Sequence, residues 1–302
     1  MNRKKFLLSS LTLIAGTKLS FAGGGKTVAA PAIRFGIVTD LHYADRTPNG
    51  SRYYRESLTK LSECVELMNE QRVNFLIELG DFKDQNIQPD EGETLRFLET
   101  IEAKFRQFKG PVYHVLGNHD MDSISKEQFL SKIHNSGFSK ARGHYSFNAA
   151  HHHFVVLDAN YTREGIGYDR GNFDWKDCHI PEEQLKWLEE DLREHHQPTV
   201  VFIHQQLDGP AFEGDHSRYC PDNADKVRAI LERSGKVLVV FQGHYHDGGY
   251  NIINGIPYYT LKAVIEGEGD QNNSYAIVEI GKDREIAIRG YRRAVSKTRL
   301  KS

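Results

Sequence analysis

The chain has 302 residues, 39% of them hydrophobic, which is enough to bury a large core. Lysine and arginine number 39 against 41 acidic residues, a formal net charge of -2. That balance excludes the broad basic surface of a nucleic-acid binder and leaves any anionic ligand to be held by local charge.

In chain order, the first segment reads as an export signal. Arg3, Lys4 and Lys5 precede the apolar run Phe6 to Ala15, and Ser20-Phe21-Ala22 supplies the small residues of a cleavage site. Cleavage is expected after Ala22, leaving one domain over 23–302. The apolar run is about ten residues, short of the ~20 that a spanning helix needs, and no later run approaches that length. The expected product is therefore exported, periplasmic or secreted, without a transmembrane anchor. Arg3-Lys4-Lys5-Phe6-Leu7-Leu8 is similar to a twin-arginine signal, with Lys for the second Arg, a departure that favours the ordinary secretory route.

Strand-like and helical periods then alternate. Ile33 to Thr39, Asn74 to Leu79 and Pro111 to Leu116 read as buried strands. Tyr54 to Asn69 and Glu93 to Phe108 read as amphipathic helices, and Ser125 to His134 as a short helix with Ser125 and Gln128 as a capping pair. This βαβ order implies parallel strands with helices outside. Tyr145 to Asn148 and His153 to Asp158 suggest a hairpin opening a second sheet. A loop-rich insert, Ala159 to Ile180, is long enough to be functional. Pro181 opens a helix to His195, and Thr199 to Ile203 and Val237 to Phe241 are strands flanking the helix Asn223 to Arg233. Asn254-Gly255 makes a type I′ turn between Tyr250-Ile253 and Ile256-Leu261, and the tail is antiparallel in character. The expected fold is α/β, a four-layer α/β/β/α sandwich of two mixed sheets.

Cys64, Cys178 and Cys220 show no Cys-x-x-Cys spacing. Cys64 shares an apolar helical face with Leu61, Val65 and Met68, whereas Cys178 and Cys220 lie in loop-like segments where a disulfide between them is a hypothesis.

The chemistry sits at the strand ends. Asp40-Leu41-His42, Gly80-Asp81, Gly117-Asn118-His119-Asp120, Ile203-His204 and Gly243-His244-Tyr245-His246 each close an apolar run, where an open α/β sheet keeps its ligand crevice. Any one of these could be a turn or a satisfied core histidine; five together imply a metal site. Asp, Asn and His without Cys suit manganese, iron or zinc. Asp40, His42, Asp81, Asn118, His204, His244 and His246 are too many ligands for one tetrahedral ion and suit two divalent ions sharing a carboxylate. His114 inside the third strand, the run His151 to His153 and His195-His196 at a helix end take structural readings.

In order and context these residues resemble the calcineurin-like metallophosphoesterases over about Ile33 to Glu266. The resemblance implies that Asp40, His42 and His246 hold the first ion, Asp81 bridges, and Asn118, His204 and His244 hold the second. It further implies that His119 binds phosphate and acts as general acid, with Asp120 orienting its imidazole. Asp84 is a candidate partner for a ligating His. The absence of Tyr at 82 to 84 argues against the purple acid phosphatase branch.

Phe35-Gly36-Ile37-Val38-Thr39-Asp40, Tyr43-Ala44-Asp45, Arg52-Tyr53-Tyr54-Arg55-Glu56-Ser57-Leu58 and His246-Asp247-Gly248-Gly249-Tyr250 look like the manganese-dependent ADP-ribose/CDP-alcohol diphosphatases. Members of that group often carry Gln where this chain has His42, so the first-ion site looks more like the generic pattern. The expected substrate is a small phosphorylated molecule, with nucleotide pyrophosphates or phosphodiesters ahead of phosphomonoesters. A non-catalytic scaffold is the rival class, and retention of every ligand and of His119 speaks against it. Arg52 and Arg55 are candidates for a second phosphate, or are solvated arginines at a helix start. Phe173 and Trp175 in the insert are candidates to stack a base, or form a satellite core.

Overall fold

The computed structural model describes residues 32–212 and 216–300 of the chain. The expected signal segment and its cleavage site lie outside the described residues. Among the described residues no helix is long and apolar enough to cross a membrane.

β1 (Ile33–Val38) shows why the sandwich forms, because its side chains alternate between two cores. Phe35 and Ile37 point into an aromatic layer between the sheets, and Val38 points toward helices on the other side. α1 (Ser57–Gln71) buries Leu61, Cys64, Val65 and Met68 there, the face its 3.6-residue period predicts. The turn Tyr54–Glu56 before it is a 3-10 turn rather than the first turn of that helix. β2 (Phe75–Glu78) lies parallel to β1, and α2 (Glu91–Phe105) begins where Asp90 accepts the Glu93 N–H at 2.7 Å. β3 (Val112–His114) extends the parallel set. In α3 (Lys126–Lys132) Ser125 and Gln128 form the reciprocal cap that their spacing predicts.

The second sheet opens with the hairpin β4 (Tyr145–Ala149) and β5 (His152–Val156), turning at Ala150-His151. α4 (Glu182–Glu194), β6 (Thr199–Phe202), α5 (Ala224–Ser234) and β7 (Val237–Gln242) complete two parallel crossovers. β8 (Gly249–Ile253) and β9 (Ile256–Thr260) form the Asn254-Gly255 hairpin, with β9 against β7. β10 (Ser274–Ile280), β11 (Ile286–Arg292) and β12 (Lys297–Leu300) then return to the first sheet, antiparallel beside β1.

The sheets run β12-β11-β10-β1-β2-β3 and β4-β5-β6-β7-β9-β8. Between them Phe35 stacks on Phe75 at 4.7 Å and meets the edges of Phe154, Phe202 and Phe241. α1, α2 and α3 cover the first sheet and α4 and α5 the second, which is the expected four-layer sandwich. Cys178 and Cys220 stand as buried thiols rather than as the hypothesised bridge. His153, at the start of the expected strand, is buried in β5, with Nε2 2.6 Å from Asp191 Oδ2.

Candidate metal centre

The C-terminal ends of β1, β2, β6 and β7 meet at one place, and the ladder between β1 and β2 continues past the strands to fix it. Asp40 N donates to Gly80 O at 3.0 Å and His42 N to Asp81 O at 2.8 Å. Asp40, His42, Asp81 and His244 all adopt left-handed backbone, φ 51°, 46°, 54° and 67°, a costly conformation that turns each side chain into the crevice. A Cβ on Gly117 would lie 2.1 Å from Asp81 N, so only glycine lets the β3 turn approach the β2 turn this closely.

Two donor clusters result, Asp40-His42-His246 and Asp81-His204-His244. Asp81 Oδ2 lies 3.4 Å from His42 Nε2 and 3.2 Å from His204 Nε2, so one oxygen faces both clusters. His246 Nε2 is 3.5 Å from Asp40 Oδ1. Donors bound at about 2.0–2.2 Å to a common ion stand roughly 3–3.5 Å apart, which is this spacing. The remaining valences are already committed. Asp40 Oδ2 accepts from Thr39 Oγ1 at 2.7 Å and Asp81 Oδ1 from His119 N at 2.7 Å. His204 Nδ1 is held by Leu79 O at 2.8 Å and His246 Nδ1 by Glu266 Oε1 at 2.6 Å, the outer partners that fix a ligating tautomer.

What is left over defines the ligand set. Asp40 Oδ1, His42 Nε2, Asn118 Oδ1, His204 Nε2 and His244 Nε2 are buried without a hydrogen-bond partner among the described residues. Unpaired buried polar atoms are costly, and five converging on one crevice are accounted for by bound cations. Asn118, absent from clusters of ionisable groups, is brought in by its orphaned oxygen. The donor set fits two divalent ions. Burial opposes the charge on Asp81, but the His204 and His42 imidazoles outweigh it and hold the carboxyl well below its usual range. Burial, then the neighbouring His204, pushes His244 down to about 3, leaving a neutral imidazole ready to ligate.

His119 stands at the mouth, its side chain 25% exposed, its ring edge-on to His42 at 4.8 Å. The expectation that Asp120 orients it is corrected. Asp120 Oδ2 accepts from Gly117 N at 2.8 Å and Oδ1 from Phe82 N at 2.9 Å, closing the 3-10 turn that carries Asn118 and His119. Asp84 faces the histidines instead, its Oδ2 3.3 Å from His42 Nδ1 and 3.7 Å from His119 Nδ1. Burial would lower the His119 imidazole, but Asp84 and Asp81 outweigh it and push it up to about 9.

Around these groups lies a cleft of about 490 Å³. Arg52 lines it, its Nε 3.8 Å from Glu266 Oε1. Arg55 does not: the 3-10 turn aims it at Asp45, 2.5 Å away, and its side chain is 53% exposed, which corrects its candidacy. Phe173 and Trp175 line the cleft, at 5.4 Å from His119 and 6.0 Å from His244, and Phe173 also packs against the small core of Met121, Tyr168 and Cys178. Two further aromatics were not anticipated. Tyr219, 5.5 Å from Trp175 and 5.6 Å from His244, comes from the loop after β6, and Tyr245 packs 5.1 Å from it. Tyr245 had a legible signal in its place inside Gly-His-x-His; Tyr219 had none.

A strand-end cluster of oxygen and nitrogen donors sharing one carboxylate, with a histidine at the mouth alongside, defines a two-metal hydrolase centre. The chain belongs to the calcineurin-like phosphoesterase family, whose model matches residues 33–248. It is similar to the manganese-dependent ADP-ribose/CDP-alcohol diphosphatases of Arabidopsis thaliana, 26% identical over 80% of this chain and 89% of that protein, and of Homo sapiens, 25% identical over 83% and 87%. The crystal structure of a dimetal phosphatase from Danio rerio shares the fold, with a TM-score of 0.74 and 23% identity over 90% of this chain and 100% of that one.

Proposed function

We propose that this phosphoesterase hydrolyses the phosphoanhydride of small nucleotide diphosphates, of the ADP-ribose or CDP-alcohol kind, with two manganese ions. The observation that carries this reading is the aromatic wall of Phe173, Trp175, Tyr219 and Tyr245 beside the ligand clusters. A phosphomonoesterase needs no such surface, whereas a base gains about 1–3 kcal/mol by stacking on one. Relatives named for these substrates match nearly the whole of their own length.

Asp40, His42 and His246 would hold one ion, Asn118, His204 and His244 the other, with Asp81 between them. The bound pair supplies Lewis acidity toward the phosphoryl oxygens and makes water a nucleophile at neutral pH. Asp84 Oδ2, 3.7 Å from His119 Nδ1, favours a proton on this ring, which would be given to the leaving oxygen in the cleft that His119 lines. Arg52 offers a guanidinium to the phosphate not under attack. Residues 159–180 bring Phe173 and Trp175 to the cleft wall, tied down by Tyr168 Oη on Asp177 O at 2.7 Å and Gly171 N on Met121 O at 2.9 Å.

The test is turnover of ADP-ribose against a simple aryl monophosphate by the manganese-loaded protein, with Asp81→Asn as blank. The reading requires ADP-ribose to turn over far faster; preference for the monophosphate refutes it. Export is part of the same proposal and rests on the basic-apolar-small order of residues 3–22. Amino-terminal sequencing of extracytoplasmic protein should begin at Gly23, and retention of Met1 there would contradict cleavage.

A further inference from the structure

Next to the metal cleft, and sharing Asp247 with its wall, is a second cavity of about 260 Å³ that the reaction above leaves unused. The turn Asp247-Gly248-Gly249-Tyr250 leads from one to the other. Gly248 takes φ 70°, and a Cβ on Gly249 would lie 2.4 Å from the Phe212 ring, so this bend requires both glycines.

Two ammonium-bearing side chains line the cavity, Lys262 just past β9 and Lys297 at the start of β12. Lys297 Nζ rests 4.3 Å from the centre of the Tyr250 ring, a contact that steadies it without neutralising it. Neither lysine has a carboxylate or hydrogen-bond partner among the described residues, although both are half-buried. Most lysines this enclosed in the fold are paired: Lys83 bonds Asp122, Lys126 bonds Asp158, and Lys236 bonds the carbonyls of Leu192 and His195. Two lysines without a carboxylate partner among the described residues, lining one small cavity, are complementary to an anion. Asp247 at the junction repels a phosphate placed on itself and instead suits the hydroxyls of a sugar between two anions.

We propose that this cavity binds a phosphate group remote from the scissile bond, which on the nucleotide reading makes it the subsite for the far arm of the substrate. With the base against Trp175 and Tyr219, the arm beyond the anhydride runs past Asp247 toward Lys262 and Lys297.

The experiment has two arms. In the first, KM is measured for ADP-ribose and ADP-ribose 1″-phosphate with the manganese-loaded protein and its Lys262→Met/Lys297→Met variant. KM for the 1″-phosphate is expected to rise at least about tenfold while that for ADP-ribose stays put, the loss expected from removing charge-assisted contacts. In the second, equilibrium dialysis measures inorganic phosphate binding on an Asp81→Asn background, with and without the lysine substitutions. This arm stands even if ADP-ribose is not a substrate. A drop in phosphate binding without any KM discrimination assigns the cavity to a separate phosphate and keeps the site. Unchanged phosphate binding together with equal KM effects on both substrates overturns it.

Discussion

On the first sheet, Asp40, His42, Asp81 and Asn118 follow directly on the ends of β1, β2 and β3, and backbone hydrogen bonds from Asp40 and His42 to Gly80 and Asp81 prolong the β1–β2 ladder beneath them. The second sheet delivers His204, His244 and His246 beside the segments 159–180 and 216–223, which carry Phe173, Trp175 and Tyr219. One side is backbone-determined, strained and closed around fixed donors. The other combines the same kind of strand-end ligand with side chains whose placement depends on loop packing. The shared chemistry of the centre thus rests on strand geometry, and the choice of substrate rests on segments that strand geometry does not fix.

The largest way to break this contrast is at its meeting point. Asp81→Asn removes the charge facing both clusters and should abolish turnover, by at least about 10³-fold, together with both ions. Elemental analysis and kinetics should agree, and retained metal with lost activity would separate the two roles. His119→Ala should keep metal while slowing substrates with poor leaving groups about 10²–10⁴-fold, the usual weight of a general acid, whereas Asp84→Asn, which also faces His42 Nδ1 at 3.3 Å, should weaken metal binding as well. Equal losses for good and poor leaving groups would remove His119 from that role.

A stability test probes what backs the first-sheet turns. Glu78 Oε2 accepts from Gly80 N at 2.8 Å, its Oε1 meets His114 Nδ1 at 3.0 Å, and His114 Nε2 meets Glu102 Oε2 at 3.1 Å. Burial would lower His114, but Glu102 and Glu78 push it up to about 10. A folded value above the unfolded one means stability fully present below pH ~6.5 and lost as pH rises through about 10. His114→Gln should cost about 3 kcal/mol near pH 7 by chemical denaturation, with the gap to wild type closing toward pH 10. A gap independent of pH would show that the imidazole is not charged there.

The second-sheet side is probed by Trp175→Ala and Tyr219→Ala. Each should raise KM for ADP-ribose about tenfold, within the ~1–3 kcal/mol of base stacking, and leave a small aryl phosphate unaffected. An equal effect on both substrates would make the wall a lid rather than a recognition surface. Arg55→Ala should change neither substrate by more than about twofold, because an exposed pair with Asp45 contributes little.

The same contrast explains what was legible in the sequence. The seven candidate ligands were legible because each follows the end of an apolar strand, and a strand end in an α/β sheet is a place before it is a residue. The partner of His119 was not. Asp120 is adjacent in sequence, but the 3-10 turn folds its carboxylate back onto Gly117 N, while left-handed backbone at Asp81 carries Asp84 round to face His42 and His119. Arg52 and Arg55 looked equivalent until the turn Tyr54–Glu56 separated them. Tyr219 lies more than forty residues beyond Trp175, and only the packed loops bring them to 5.5 Å. The antiparallel tail was legible as such, but its return to the first sheet beside β1 depends on pairings no local pattern encodes.

The count of bound metal tests the central claim most directly. Elemental analysis of purified residues 23–302, dialysed against manganese and then metal-free buffer, should give two ions per chain, and fewer than one for Asp81→Asn. One ion per chain in the wild-type protein, unchanged by that substitution, would contradict a centre in which Asp81 stands between two metals.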